Sequence, residues 1–380
     1  MDNTVRTVKL FEFYVKYIWP IHRLFVKGKY AKRCLSCAAS ERMVSLDSSG
    51  VCALCKATHV AATTSRATLT EDRKQLSDLL QSTQGSGRYQ YDALVLFSGG
   101  KDSTYMIARI KKEFPRLRML AYTIDNGFMS TVAYKNVQDF VVRLDVDHIF
   151  VRPERKFYIK LFRYCLTHLN DEGGYGTLDF SDGEFMLDTA RRIAAEKHIP
   201  LILCGYSRYQ VQNGLKFQNF ESPRNLEISD RQETAGIALK DIFDDSEINR
   251  WWHGSQWPEN QVSRLIFPLY AWDLEESEIK QKVTEWGLLR KKEYSPAVTN
   301  HQLIPVLGVV DVHQRGYSSF EPEFCRMIRE GRANRHEWQM TFEFLEYTSR
   351  TGLFLKPIVL QRLTELNLHP DDIGIRFTNN

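Results

Sequence analysis

No stretch of this 380-residue chain comes near the roughly 18 uninterrupted apolar residues of a membrane-spanning helix. Nor does a signal peptide open it, so the expectation is an intracellular, cytoplasmic protein. Internal repeats and low-complexity tracts are also missing. Net positive charge is confined to the first 33 residues. That segment holds Arg6, Lys9, Lys16, Arg23, Lys27, Lys29, Lys32 and Arg33 against Asp2 and Glu12, a net +6, which leaves −2 of the total +4 for the remainder. A body of that charge does not grip nucleic acid by electrostatics alone, so nucleic acid is not an expected partner.

What is present is a hydrophobic content of 43%, enough for a sizeable core. Seven cysteines are an odd number, and four of them crowd between Cys34 and Cys55. In an intracellular chain that clustering points to metal rather than to disulfides. The spacing Cys34-x-x-Cys37, then Cys52-x-x-Cys55, allows two knuckles to meet on one tetrahedral ion, with Gly50 suited to the tight turn before the second pair. A closed, structural Zn²⁺ site is the usual outcome of four thiolates, with an iron site or an iron–sulfur cluster the less common one.

Residues 4–33 interleave aromatics with bases, and Leu10, Phe13, Tyr14, Tyr17 and Ile18 recur at helical spacing before Pro20. Two readings stay open: a basic amphipathic element on an anionic membrane surface, or, more commonly, a helix packed on the body or on a partner. From Tyr91 the pattern alternates. Strand-like runs at 93–97, 119–124, 147–151 and 200–204 are separated by helical patterns at 103–113, 131–144 and 183–197. This predicts an α/β fold with a doubly wound parallel sheet. Residues 206–262 lack periodicity and carry Trp251, Trp252 and Trp257, which suits either a binding loop or core packing.

The sharpest local signal is Ser98-Gly99-Gly100-Lys101-Asp102-Ser103, set between the apolar run Ala93–Phe97 and a helical pattern. Two glycines let backbone N–H groups close on an anion, and the next helix aims its positive end at the same place. Ser98 and Ser103 add hydroxyls and Lys101 a mobile cation. Asp102 beside a phosphate is repulsive unless a Mg²⁺ sits between them. The turn is therefore built for a Mg-bound polyphosphate. It is neither the G-x-x-x-x-G-K-[ST] loop nor the dinucleotide G-x-G-x-x-G.

Ser98–Ser103 resembles the pyrophosphate loop of the PP-loop ATP pyrophosphatases. That resemblance implies an adenine nucleotide alpha hydrolase (HUP) type of fold, and ATP cleaved between its α and β phosphates. AMP is then placed on a carbonyl oxygen ahead of a nitrogen or sulfur nucleophile. It further implies that Ala121–Phe128, with Thr123 and Asp125, reads the adenosine, that Gly205 lies near the nucleotide, and that Arg264–Leu269 followed by Glu275–Leu288 closes the domain. Lys101, Asp102 and Ser103 would act in catalysis, with Asp102 on Mg²⁺.

The order of a C-x-x-C, then Gly50-Val51-Cys52, then Tyr91-Asp92 leading into Ser98–Thr104, is similar to the N-acetyl sugar amidotransferases of surface-polysaccharide (lipopolysaccharide) biosynthesis. That family implies amidation of an N-acetyl sugar with ammonia from a partner glutaminase subunit, since Met1-Asp2 and the lack of a G-x-C-x-G elbow show no glutaminase here. The alternative is a PP-loop sulfurtransferase or thiolase acting on a nucleobase or small molecule. Its sulfur carrier would have to come from Cys165, Cys204 and Cys325, no two of which share a C-x-x-C, and Cys204 at a strand end is the one placed to act.

Substrate groups are expected among Gly173–Thr177, Ser181-Asp182-Gly183-Glu184, Ser295–His301 and Arg326–Arg335, although Ser181 and Glu184 also read as a capping box and the arginines as a solvated face. His301 and His313 could do acid–base work or be structural. The expected division is a basic amphipathic segment (1–33), a four-cysteine zinc knuckle (34–60), a linker (61–90), an ATP pyrophosphatase domain (91–270) with an insertion (206–262), and a mainly helical C-terminal region (271–380).

Overall fold

The computed structural model describes residues 3–57, 66–222, 237–289 and 301–378. In chain order, α1 (Asn3–Tyr17) and α2 (Arg66–Thr83) precede β1 (Ala93–Leu96), α3 (Lys101–Glu113), β2 (Met119–Ile124), α4 (Thr131–Leu144) and β3 (Asp147–Val151). Then come α5 (Phe180–Glu196), β4 (Leu201–Leu203), β5 (Arg264–Ile266) and α6 (Glu276–Glu285). Four more helices follow: α7 (Ile304–Gln314), α8 (Glu321–Arg329), α9 (Arg335–Thr351) and α10 (Lys356–Glu365).

Two compact units result. One contains 66–161, 179–222, 237–289 and His301; the other contains 3–57, 162–178 and 302–378.

In the first unit every residue of β1 and β4 is buried, so these strands read as continuous apolar runs rather than alternating ones. That pattern is what a parallel sheet covered on both faces requires. All four pairings are parallel, in the order β3-β2-β1-β4-β5. The fold class is the expected α/β doubly wound sheet. Winding reverses between β1 and β4, and ligands of such sheets bind at the carboxyl ends flanking that reversal.

Two features of this unit were not visible in composition. Helix α2, polar enough to read as part of a connector, buries Leu76 and Leu80 in the sheet core. Its Asp72 pairs with Arg208 at 2.5 Å, and that guanidinium lies 3.9 Å from the Tyr270 ring centroid. The insertion's tryptophans are packing residues. Trp251 sits among Phe157, Phe185 and Phe243, and Trp252 stacks on Trp257.

Asp92, just before β1, pins the sheet's amino edge. Fully buried, it accepts from the N–H groups of Gly85, Gly87 and Arg118 and from the Arg118 guanidinium. Burial opposes its charge, but Arg118 and the N–H donors outweigh it and hold the carboxyl at about 2. A depressed folded value gives stability that is present above the unfolded pKa of about 3.9 and is lost as pH falls toward 2. Asp92→Asn is expected to cost about 2–4 kcal/mol at neutral pH and to flatten the acid limb of stability between about pH 5 and 2. Urea melts at several pH values check both effects; an unchanged acid limb would remove Asp92 from the account.

In the second unit, α1 and Trp19 pack on α9 through Phe344, Tyr347 and Met340. Buried Arg33 pairs with Glu321 at 2.7 Å and Glu346 at 3.3 Å, and Arg23 makes a two-pronged pair with Glu343. Such buried pairs fix geometry more than they add net stability.

Candidate active site and cysteine centre

The turn after β1 is shaped by Gly99, whose φ of +74° lies in the left-handed region. A Cβ there would come 2.6 Å from the Ala133 carbonyl oxygen, so the position also has no room for a side chain. Asn136 of α4 donates to the Gly99 carbonyl at 3.0 Å and locks the turn from below. Gly100 is the N-cap of α3 and contributes no capping side chain. The helix therefore offers its first N–H groups and positive dipole end to an outside anion. The Ser98 and Ser103 hydroxyls lie 3.2 Å apart over the same spot.

Lys101 lies mostly buried at the mouth of this turn. Its ammonium donates to Asp102 at 2.7 Å and is 3.4 Å from Glu276 of α6. Burial works against the charge, yet the two carboxylates outweigh it and raise Lys101 above its ordinary value. Glu276 and Asn136 are neighbours of the turn that sequence reading did not single out. The only hint was a carboxylate opening a helix and one polar residue on the apolar face of another.

Neighbouring strand ends complete the edge. Gly205, after β4, approaches so closely that a Cβ would touch the Ser103 backbone at 3.4 Å. The next residue, Tyr206, lies over Gly183 in the first turn of α5, where a Cβ would come 2.6 Å from its hydroxyl. Asn126, beyond β2, donates to Asp182 at 2.6 Å. The other Asp182 oxygen is enclosed, with Tyr158, Asp179 and His301 as the groups that act on it electrostatically. Burial pushes the Asp182 carboxyl up to about 6, His301 opposing and Asp179 adding to the rise. His301 Nε2 is 2.7 Å from Asp179 Oδ1; burial disfavours its charge, but Asp179 and Asp182 hold it above its usual value. The anion turn, Gly205, Tyr206 and Asp182 thus form one connected carboxyl-edge site.

Other expected positions are employed differently. Thr123 is buried, donates to the Phe97 carbonyl at 2.5 Å and meets His148 at 2.9 Å. Asp125 pairs with Arg152 at 2.7 Å and accepts from the Gly127 N–H. Helix α5 starts at Phe180 with no side-chain cap, so Ser181 and Glu184 lie inside the helix, buried, and do not form the capping box. Cys204 is buried and its thiol is pushed up to about 12, which keeps it protonated and a poor nucleophile. Gly173–Thr177 belongs to the other unit, where Gly174 N–H donates to Asp311 at 2.6 Å and Thr177 bonds the Gly173 carbonyl. There too His313 bonds the Ser349 carbonyl, and Arg335 donates to the Cys34 carbonyl. Arg326 pairs with Glu330, and Cys165 is buried. Ser295–Asn300 lie outside the described residues.

Cys34, Cys37, Cys52 and Cys55 come together as expected, their sulfurs all within 4.8 Å of one another. Cys34–Cys55 and Cys37–Cys52 are 3.8 and 3.7 Å apart. A tetrahedron with metal–sulfur bonds of about 2.3 Å has edges of about 3.8 Å, so the set fits Zn²⁺. The Cys52 and Ser36 N–H groups donate to Cys34 Sγ, as supporting donors of a thiolate ligand do. Cys325 of α8 packs in the same buried cluster and, as the neighbour acting most on it, lowers Cys37; burial and neighbouring sulfur raise Cys52 and Cys55. Four thiolates this close need a cation to be charged together.

No protein-family model matches the chain, and no curated protein does. Solved structures similar to it include the U34-tRNA thiolase NcsA of Methanococcus maripaludis with its [4Fe-4S] cluster (13% identity, 79% of this chain and 86% of that one, TM-score 0.35). The NMN synthetase of Francisella tularensis (9% identity, 79% and 97%, TM-score 0.39) and the NH3-dependent NAD synthetase of Campylobacter jejuni (11% identity, 71% and 96%, TM-score 0.35) are others. Similarities this loose carry no functional argument. The chain's own geometry defines a glycine-bearing strand-turn-helix with a helix start free of side-chain caps at the winding reversal of a parallel sheet in one unit, and a four-cysteine centre in the other.

Proposed function

We propose that this chain is an ATP-dependent enzyme of the PP-loop ATP pyrophosphatase type that adenylates the acetamido carbonyl of an N-acetyl sugar, nucleotide-linked, and converts it to an amidine with ammonia from a partner glutaminase. The observation that carries the ATP chemistry is the Ser98–Ser103 turn, with its left-handed glycine, uncapped helix start and buried lysine. Ser98, Gly99, Gly100, Lys101 and Ser103 hold the pyrophosphate as it leaves, and Gly205 borders the adenosine. Asp102 offers an exposed carboxylate oxygen, and a Mg²⁺ held there supplies charge neutralisation. Stabilising the developing phosphate charge with preset donors is the main catalytic device.

The carbonyl oxygen attacks the α-phosphorus and pyrophosphate leaves. Ammonia adds to the carbon, a proton is lost, and AMP departs with the former carbonyl oxygen. Asp182, held near 6 and oriented by Asn126, is the group suited to take that proton. Burial of Cys204, which disfavours its thiolate, supports nitrogen over sulfur as the nucleophile. The cysteine centre has no reacting role in this scheme and holds structural Zn²⁺.

Turnover of ATP with a panel of N-acetyl nucleotide sugars, supplied with ammonium or with a sulfide donor, tests this. The expected products are AMP and a sugar in which one oxygen has become nitrogen. AMP formed only with sulfide, or with no sugar at all, would falsify the amidation.

A further inference from the structure

Helix α1 has two apolar faces, and packing accounts for one. Val8, Val15 and the following Trp19 are buried, Val15 and Trp19 against α9. The opposite side stays uncovered. Among the described residues twelve large apolar side chains are exposed, and seven of them fall between Leu10 and Phe25. Leu10, Phe13 and Tyr17 recur at i, i+3 and i+7, a single helical stripe, and the Phe13 and Tyr17 rings touch with centroids 5.0 Å apart. Past the helix, Ile21, Leu24 and Phe25 continue the patch, and Phe25 is 81% exposed. Isolated surface hydrophobes are ordinary, but a run of bulky ones on one element marks a contact surface.

The charge around the patch says what it contacts. Arg6, Lys9, Lys16, Lys27 and Lys29 are all exposed, and Glu12 is the one acid between residues 6 and 30. Arg23 and Arg33 are already engaged by Glu343, Glu321 and Glu346, so they add nothing outward. The rest of the chain is net negative, so the cationic charge is concentrated in the same segment that bears the apolar stripe. Cores of protein interfaces are poor in lysine. A second copy docked here with two-fold symmetry would bring the same lysines of both copies into one contact. An anionic lipid surface satisfies both features at once: aromatic and aliphatic tips enter the headgroup boundary while lysine stems reach back to the phosphates. No helix among the described residues is long and apolar enough to cross a bilayer, so the element would lie on it.

We propose that the outward face of α1 and the turn through Phe25 dock the protein on an anionic membrane surface. The contact joins hydrophobic insertion to basic attraction, so it needs both the Leu10–Phe25 patch and the lysines that border it. This is independent of the chemistry proposed for the nucleotide turn.

Co-flotation of the full chain with phosphatidylcholine vesicles, with and without phosphatidylglycerol, is the test. Strong binding is expected only to the anionic vesicles, weakening as salt rises. Replacing Lys9, Lys16, Lys27 and Lys29 by Gln should weaken it about fivefold per lysine. The pair Phe13→Ser and Phe25→Ser should reduce it on the order of tenfold or more. Both variants leave Val8, Val15 and Trp19 in place, so unchanged helicity and metal content would show that they fold. Equal binding to neutral and anionic vesicles, or no binding at low salt, overturns the proposal. So does a concentration-dependent dimer that the phenylalanine pair abolishes without any flotation, which would give the face to a second copy.

Discussion

Lys101→Ala is expected to lower AMP and pyrophosphate formation by about two to three orders of magnitude while barely moving the melting temperature. The size follows from removing one preset charge from the place where phosphate charge develops. The Lys101 ammonium also pairs with Asp102 and Glu276; without it, in the proposed reaction, both carboxylates would repel a polyphosphate held at the turn. The structural effect is small for three reasons. Alanine is at least as good a helix former in the first turn of α3. The Asp102 and Glu276 side chains are 42% and 35% exposed, so water can take over their solvation. Nothing of the hydrophobic core is touched. Measuring kcat and KM for pyrophosphate release beside a thermal melt separates the two effects. A folded Lys101→Ala protein with wild-type turnover would sink the assignment of this turn as the phosphate site.

The turn was legible in the sequence because all of its determinants are local. An apolar run gives a buried strand, Gly99 permits a positive φ, and the helical spacing after Lys101 fixes where the dipole points. The cysteine centre was legible for a similar reason, since C-x-x-C spacing builds each half and Leu35 N–H to Gly50 carbonyl joins them. What the sequence hid are contacts set by tertiary packing. Asn126 and Asp182 are 56 residues apart, Asn136 and Gly99 are 37 apart, and Arg33 reaches Glu321 across 288. No periodicity can report such partners, because each depends on where two elements end in space. A helix around Glu71–Leu80 was legible, but the packing of helix α2 on the sheet was hidden differently. Its polar composition masks the two leucines that hold it, and burial of only a few side chains per helix leaves a weak periodic signal. The N-terminal segment was half legible. Its apolar spacing and its bases were plain, but only the packing of Val15 and Trp19 inward shows that Phe13 and Phe25 are left outside.

Cys37→Ser is expected to remove the metal and with it the cooperative folding of the unit that joins the N- and C-terminal segments. Structural zinc at four cysteines contributes an apparent free energy of about 10–16 kcal/mol at neutral pH, comparable with or larger than the whole stability of a domain. Three remaining thiols hold the ion far more weakly. The cluster is also a packing centre: its cysteines pack among Met43, Val44, Leu46 and Ile328, and beside it Arg33 reaches Glu321 and Glu346. Loosening it therefore exposes apolar surface and leaves Arg33 and its carboxylates imperfectly solvated. Cys325→Ser is the control. Its side chain packs in the same buried cluster without belonging to the set of four, so metal content should stay near that of the unaltered chain. Metal analysis, an absorption spectrum and a thermal melt on both variants decide the point. Zinc is colourless, whereas an iron–sulfur cluster at the same cysteines would absorb through the visible. Full metal content in a folded Cys37→Ser protein would show that the four sulfurs are not the ligands. Loss of metal with an unchanged melt would show that the centre is not what holds this unit together.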